Sequence, residues 1–197
     1  MSVITSMPSA DCLTYAEYLS EQTISERYDI IEGERQIMPS PTWRHQRIQG
    51  RLLRAFQQYE DAAGSGYCLA APFDVLIRRV PRLQVRQPDL LFISKVALTR
   101  IGGIPERVPL ETAPELVVEI LSDSDRESVL SGKIADYLTI GVQEVWLVRP
   151  DVQTVEILDL TSGQAVSDMV CSALETAESR VFAGLRVEVV GLFQADY

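Results

Sequence analysis

Residues 115–149, with the sequence ELVVEILSDSDRESVLSGKIADYLTIGVQEVWLVR, decide the fold class of this chain. The stretch opens with an apolar run over 115–121. It continues with apolar residues at helical spacing over about 126–140, and it closes with a second apolar run over 144–148. Short apolar runs of this kind are typical of strands that are buried on both faces. We therefore predict a right-handed βαβ unit, in which a helix joins two parallel strands of one sheet.

The flanking sequence adds further strands and a long helix to this unit. The run Leu90–Ile93 should lie in the same sheet as the two apolar runs, within a longer extended segment over 85–93. A hairpin should turn at Glu32-Gly33, and Ser124 or Asp125 should cap the βαβ helix. The other expected elements are a long helix over 42–62 that ends at Gly64, a loop-rich stretch over 95–113 and β-like pieces over 154–190. The predicted class is α/β, or α+β with a mixed sheet flanked by helices.

Composition limits the class of protein further. The chain has 197 residues, of which 46% are hydrophobic and 23% charged, so we expect one folded domain over 1–197. Its three scattered cysteines do not form a disulfide framework, which favours a reducing, cytoplasmic location. Residues 1–12 lack the features of a signal peptide, and no apolar run approaches the roughly 18 residues that a membrane span needs.

The motifs that are missing narrow the chemistry. His45 is the single histidine, which excludes HExxH zinc sites and centres built from several histidines. The sequence contains neither GxxxxGK[ST] nor GxGxxG, so the nucleotide-binding loops of those types are excluded. Carboxylates, lysine, arginine and a bound metal ion remain as the groups that could carry catalysis.

Positive charge is concentrated in one part of an acidic chain. The formal net charge is -10, yet residues 35–88 carry nine arginines against three acidic residues. Arginines of this kind can hold a phosphodiester backbone, and they can equally form a solvated face or an oligomer contact. The candidates for nucleic-acid binding are on the long helix: Arg44, Arg47 and Arg51.

Two acidic residues occupy positions where apolar strands are expected. Asp89 opens the run Leu90–Ile93, and Glu119 lies in the middle of the run over 115–121. A buried carboxylate needs a cationic partner, because leaving it unpaired costs several kcal/mol. Two carboxylates on adjacent strands suit Mg²⁺ or Mn²⁺, since hard ions of this kind bind a few carboxylates and water. The alternative is that each carboxylate pairs with an arginine or points outward at the strand end.

Lys133 is a candidate third member of this group. It borders the apolar face of the helix that follows Glu119, three residues after Leu130 and four before Tyr137. From there its ammonium group could extend toward Glu119 and contact an attacking water or a phosphate oxygen. A lysine at such a boundary can also simply extend its charge into solvent.

Four separated motifs carry a resemblance to a known family. The motifs are ERYDIIEGERQIMPSPTWRHQRI (26–48), QPDLLFIS (87–94), ELVVEILS (115–122) and GKIADYLTIGVQEVWLVRPD (132–151). In this order they resemble the bacterial "putative restriction endonuclease" family of the PD-(D/E)xK nuclease superfamily. The resemblance implies a restriction-endonuclease-like core over about 25–160, with a central mixed sheet flanked by helices and a metal ion at the strand ends.

The resemblance also implies roles for individual residues. Pro88-Asp89 corresponds to the PD and Glu119 to the (D/E) of the motif, while the position of its lysine is taken by Leu121. The family has a lysine on the following helix instead, where Lys133 stands. Glu34 matches a family position from which it could bind the metal or simply end a hairpin, and His45 matches one that would support the site.

Together these observations favour a metal-dependent DNA endonuclease that acts as a homodimer. Asp89, Glu119 and Lys133 would be catalytic, and Asp89 and Glu119, with Glu34, would hold Mg²⁺ or Mn²⁺. The first alternative is a nuclease-fold module that binds a partner without cutting, which the net charge of -10 supports. The second is an oligomer without nuclease activity in which Asp89 and Glu119 pair with arginines.

Overall fold

The computed structural model describes residues 12–21, 27–104, 109–122 and 127–194. Its helices are α1 (Tyr15–Ser20), α2 (Trp43–Ala63), α3 (Lys95–Arg100), α4 (Glu127–Ile140) and α5 (Val189–Phe193). Its strands are β1 (Tyr28–Ile31), β2 (Glu34–Ile37), β3 (Gly66–Ala70), β4 (Val75–Arg78), β5 (Gln84–Arg86), β6 (Leu90–Ser94), β7 (Leu116–Ile120), β8 (Glu144–Arg149), β9 (Thr154–Asp159), β10 (Val166–Cys171), β11 (Thr176–Glu178) and β12 (Arg186–Glu188). Within these ranges no helix combines the length and apolarity needed to cross a bilayer.

A six-stranded mixed sheet forms the centre of the molecule, with the strand order β10-β9-β8-β7-β6-β3. β7 and β8 are parallel and are joined through α4, whereas β6 runs antiparallel to β7. This confirms the predicted fold class and the placement of Leu90–Ile93 in the same sheet as the two apolar runs. The predicted cap of α4, Ser124 or Asp125, lies outside the described residues.

Apolar layers cover both faces of this sheet. On one face α2 contributes Ile48, Leu52 and Phe56 to a core that includes Trp146 of β8. On the other face α3 and α4 pack over Val117, Val145 and their neighbours. Because residues on a strand alternate between the two faces, β7 contributes to both cores and is buried along its whole length. A carboxylate on β7 is therefore enclosed by protein.

A smaller four-stranded sheet, with the order β2-β1-β5-β4, carries the predicted hairpin. Glu32 and Gly33 both have positive φ values, 52° and 83°, as a two-residue hairpin turn of type I′ requires. The predicted extended segment over 85–93 is divided between the sheets, because β5 belongs to the small sheet and β6 to the large one. Gln87-Pro88-Asp89 is the connection between them, so Asp89 lies where the two sheets meet.

Another part of the chain differs from the sequence prediction. The stretch predicted to be loop-rich contains α3, which Ser94 caps by accepting a hydrogen bond from the Ala97 N–H at 3.0 Å. Residues after 160 also contribute to the hydrophobic core, since Phe182, Leu185 and Leu192 pack into the same cluster as α2. These apolar residues are widely spaced in short elements, so no periodic pattern marks them.

Candidate active site

The two strand carboxylates are brought together by the register of β6 and β7. Leu90 pairs with Val118 in the antiparallel ladder, which places Asp89 opposite Glu119 one position further along. Directly opposed positions on antiparallel strands have Cβ atoms about 4.5–5.5 Å apart. Both residues are buried, with 1% and 3% of their surface exposed. Strand pairing therefore creates two neighbouring acidic groups at the junction of the sheets.

Asp89 is held by an arginine, by a histidine and by the backbone of β7. Its Oδ1 lies 2.7 Å from Arg27 Nη1 and 3.1 Å from His45 Nε2, and its Oδ2 accepts the Ile120 N–H at 2.6 Å. Burial opposes ionisation, but the His45 hydrogen bond and the charge of Arg27 outweigh it, so the pKa of Asp89 lies below its usual value. Asp89 is thus a stabilised anion.

Glu119 is held from the opposite side by α4. Lys133 Nζ lies 2.7 Å from its Oε2, and the Tyr137 hydroxyl donates to its Oε1. Complete burial raises the pKa of Glu119, and the negative charge of Asp89 raises it further. Lys133 and Tyr137 lower it but do not offset these effects, so the pKa of Glu119 lies above its usual value. The ionised form of Glu119 is therefore held at a free-energy cost.

The structure brings Lys133 into the site. Only 8% of its surface is exposed, so it does not extend its charge into solvent. Burial favours the neutral amine, but Glu119 and Asp29 more than compensate, and the pKa of Lys133 is raised. Its ammonium group is therefore retained beside the two carboxylates, where it can stabilise developing negative charge.

A second buried ion network fixes the position of α4. Arg86 Nη1 donates to Asp29 Oδ2 at 3.0 Å, and Arg86 Nη2 lies 2.6 Å from Asp136 Oδ2. Asp136 lies on α4 three residues after Lys133, while Asp29 and Arg86 belong to β1 and β5. The small sheet therefore holds α4 at the rotation that directs Lys133 toward Glu119.

An open cavity of about 190 Å³ leads to these groups. Asp89, Glu119 and Lys133 line it together with Arg27 and His45. The wall around these groups is largely apolar and is formed by Met38, Pro41, Ile120 and Leu130. Ser122 also lines the cavity. A small substrate group or several water molecules could therefore reach both carboxylates and the ammonium group.

Comparison with known proteins assigns the chain to a family. Residues 14–190 match the family Uma2, described as "Putative restriction endonuclease". The chain belongs to the Uma2 family. A similar crystal structure is that of a "putative nuclease belonging to DUF820" from Anabaena variabilis ATCC 29413, with a TM-score of 0.75, 21% identity and coverage of 92% of this chain and 97% of that one. This second match shows that the two proteins share a fold. No curated protein sequence matches significantly.

The remaining site candidates of this Uma2 family member have different positions. His45 lies in the cavity wall and contacts Asp89. Glu34 is exposed at the turn end of the hairpin, whereas Met38, at the other end, lines the cavity. The strand rise of about 3.3 Å per residue places Glu34 roughly 10 Å along the strand from Ile37. The structure therefore does not bring Glu34 to the carboxylate pair.

Most of the predicted basic cluster is engaged within the chain. Arg51 donates to the backbone carbonyls of Leu192 and Gln194, at 2.9 and 2.8 Å, and so holds the end of α5. Arg44 is exposed with its guanidinium on the Pro150 carbonyl, and Arg47 is exposed on α2. Ion pairs occupy other arginines of the cluster: Arg35 with Glu21, Arg78 with Glu32, Arg79 with Glu111, and Arg86 with Asp29 and Asp136. The local excess of arginine in the sequence therefore overestimates the positive surface that the fold leaves exposed.

Two contributors to the site, Arg27 and Tyr137, were not predicted from the sequence. Because Asp89 was predicted to be buried, a cationic partner was expected for it, but no local sequence pattern indicated which arginine this partner would be. Tyr137 was assigned to an apolar stripe, although a buried tyrosine hydroxyl needs a hydrogen-bond partner. Its spacing of four residues from Lys133 puts the two side chains on one face of α4, and this spacing was the available signal.

The donor set fits one kind of metal ion. Among the described residues no group of three or more His, Cys, Asp or Glu side chains could form a full protein cage for a metal. Asp89 and Glu119 instead offer carboxylate oxygens beside a cavity with room for water. Mg²⁺ is commonly held in this way, through one or two carboxylates with water and substrate phosphate completing its shell.

Asp89→Asn should destabilise the protein in a manner that depends on pH. The amide lacks the charge that Arg27 and His45 face, and breaking a buried ion pair costs about 3–5 kcal/mol. Because the folded-state pKa of Asp89 is lowered, its contribution is present above the unfolded value of about 3.9 and is lost as the pH falls through the folded value. Urea unfolding from pH 7 toward pH 3 measures this loss.

Asp61→Asn, at an exposed position of α2, is the matched control and should leave the free energy of unfolding nearly unchanged at every pH. An equal effect of both substitutions at pH 7 would show that the ion pairs of Asp89 contribute nothing to stability.

Proposed function

We propose that this protein is a metal-dependent endonuclease that hydrolyses phosphodiester bonds in DNA. The observation that carries the proposal is the buried Asp89–Glu119 pair with Lys133 Nζ 2.7 Å from Glu119, lining an open cavity. Ion pairs that only stabilise the fold do not need a cavity that opens them to ligands. The description of the Uma2 family as a restriction endonuclease family supports the same conclusion.

The proposed roles follow from position and charge. Asp89 and Glu119 would hold Mg²⁺ or Mn²⁺, which when bound supplies Lewis acidity toward a phosphoryl oxygen and acidifies coordinated water. Lys133 donates hydrogen bonds to the nucleophile or to the developing charge on phosphate. Arg27, 2.7 Å from Asp89, provides a second positive group in the cavity wall. His45 keeps Asp89 oriented.

A homodimer in the cytoplasm completes the proposal. Two copies related by a two-fold axis would present two equivalent cavities to the DNA. Cys68 and Cys171 are buried thiols, in keeping with a reducing compartment. Sedimentation at several protein concentrations tests the dimer independently of cleavage.

Divalent ions should stabilise the wild-type protein against heat. A ligand that binds only the folded state at 100 times its Kd adds about 2.7 kcal/mol, which corresponds to a rise in Tm of roughly 5–10 °C for a chain of this size. Asp89→Asn and Glu119→Gln should each abolish the rise, because each removes a charged ligand. Scanning calorimetry with Mg²⁺, Mn²⁺ and EDTA measures it.

Cleavage of plasmid and single-stranded DNA by the wild type, with Mg²⁺ or Mn²⁺, tests the activity itself. If neither ion binds and no substrate is cut, a module that binds without cutting replaces the enzyme as the better proposal. The net charge of -10 and the complete pairing of both carboxylates within the chain are the observations that favour that second candidate.

A further inference from the structure

The outer face of α2 carries an exposed stripe that combines an aromatic ring with arginines. Trp43, Arg47, Gly50 and Arg54 recur at spacings of four, three and four residues and therefore share one face of the helix. All four are exposed, and Trp43 is 74% exposed. We refer to these four residues as the α2 stripe. At about 1.5 Å per residue it extends over roughly 16 Å.

The stripe begins at the rim of the active-site cavity. Pro41 and Thr42, which immediately precede Trp43, both line the cavity, and Thr42 caps α2. His45 turns to the opposite side of the helix and contacts Asp89. A polymer that lies along the stripe would therefore pass the rim of the cavity at its Trp43 end.

The charge on this part of α2 suits a polyanion. Residues 43–54, WRHQRIQGRLLR, contain four arginines and no acidic residue in a chain whose net charge is -10. Arg51 is turned away and holds the end of α5, so Arg47 and Arg54 are the arginines that follow Trp43 along the exposed face. The stripe is thus locally positive beside an exposed indole.

We propose that the α2 stripe binds an unpaired nucleic-acid strand, with one base stacked on Trp43 beside the cavity and phosphates near Arg47 and Arg54. Aromatic platforms combined with a basic track are how proteins hold single strands, because an unpaired base exposes its π face and a paired base does not. The inference rests on the proposed nuclease function and deepens it, since it makes DNA with unpaired nucleotides the substrate class.

The two tryptophans allow a direct test by fluorescence. Trp146 is fully buried, so quenching by an added strand reports on Trp43. In EDTA, titration of the wild type with the oligonucleotide dT12 should quench the emission to saturation, whereas a 12-base-pair duplex should quench it far less. Trp43→Phe keeps a ring for stacking, and its remaining emission, from Trp146, should not respond.

Binding of labelled dT12, followed by anisotropy, tests the individual residues. Trp43→Ala should weaken binding roughly 5- to 150-fold, the range measured for the loss of one stacked base, while Trp43→Phe should stay within about 3-fold of the wild type. Arg47→Gln and Arg54→Gln should each reduce the slope of log K against log salt by about 0.7. Arg100→Gln, at an exposed position on α3 across the sheet, is the control and should change neither quantity.

Three results would overturn the proposal: no quenching by dT12, wild-type affinity in Trp43→Ala, or a dimer that Trp43→Ala converts to monomer. The last would make the stripe a contact between copies of the chain. If dT12 quenches the emission but the wild type cleaves no DNA in Mg²⁺, strand binding by the α2 stripe is supported and the proposed nuclease activity is contradicted. If the wild type cleaves DNA but dT12 does not quench the emission, the nuclease activity is supported and strand binding by the α2 stripe is contradicted.

Discussion

Glu119→Gln is expected to reduce DNA cleavage by about 10³-fold or more without reducing the stability of the metal-free protein. The activity is lost because a charged metal ligand and a member of an interdependent catalytic group disappear together. Stability is retained because ionised Glu119 is disfavoured in the fold by burial and by Asp89, even with Lys133 beside it. In Glu119→Gln the Lys133 ammonium group still faces the negative charges of Asp29 and Asp89. Glutamine keeps the shape and removes the charge.

The pH dependence of this effect has a defined sign. Since the folded-state pKa of Glu119 is raised, its favourable contribution is complete below the unfolded value of about 4.3 and is lost as the pH rises through the folded value. The wild type should therefore lose stability relative to Glu119→Gln as the pH rises above about 4.3. Urea unfolding in EDTA measures this difference, and single-turnover plasmid cleavage measures the activity.

Glu178→Gln, at an exposed position of β11, is the matched control and should alter neither cleavage nor stability. Wild-type cleavage by Glu119→Gln would remove Glu119 from the mechanism. A large loss of stability would instead show that the carboxylate mainly serves the fold, as an ion-paired oligomer without nuclease activity would require.

Lys133→Met is expected to impair both activity and stability. Cleavage should fall by about 10²- to 10³-fold, the scale seen when one preorganised transition-state donor is removed. The metal-free protein should lose about 3–5 kcal/mol, because buried Glu119 is left beside Asp89 without its ammonium partner. Methionine retains most of the apolar stem, so the charge is the principal change.

A double variant separates the charge effect from packing. Glu119→Gln combined with Lys133→Met removes both members of the pair and should recover much of the stability lost in Lys133→Met alone, as a double-mutant cycle would show. Added Mg²⁺ should also reduce the loss in the single variant. Lys95→Met is the control, because Lys95 is the chain's other lysine and is exposed on α3. Unchanged cleavage in Lys133→Met would exclude a catalytic role.

The opposite pKa shifts of the two carboxylates bear on how the site works. Asp89 is stabilised as an anion by Arg27 and His45, whereas Glu119 is buried at a cost that Lys133 does not fully offset. A bound divalent ion would relieve that cost, because it adds positive charge beside the less stable anion. These opposite shifts explain why Asp89→Asn and Glu119→Gln should change the stability of the metal-free protein in opposite directions.

The sequence by itself determined the central sheet and the identity of its unusual residues. Alternation and apolar runs are local properties, so β6, β7, β8 and α4 could be predicted from spacing alone. Asp89 and Glu119 stood out because a carboxylate in a buried run is costly and needs a reason. Lys133 was accessible to the same reasoning, since helical periodicity placed it at the border of a buried face, whereas the role of His45 came from the family resemblance.

The tertiary structure decided which charges meet. Arg27 comes from a hairpin 62 residues before Asp89, and Arg86 joins β5 to α4, so neither contact follows from any local pattern. Glu34 and Arg51 are of the same residue types as the acidic and basic residues of the site. Glu34 nevertheless lies at the turn end of the hairpin, and Arg51 binds the end of α5. Charge interactions fall off with distance in space and not along the chain, which is why only the folded arrangement distinguishes the arginine that faces a carboxylate from those that face solvent or backbone.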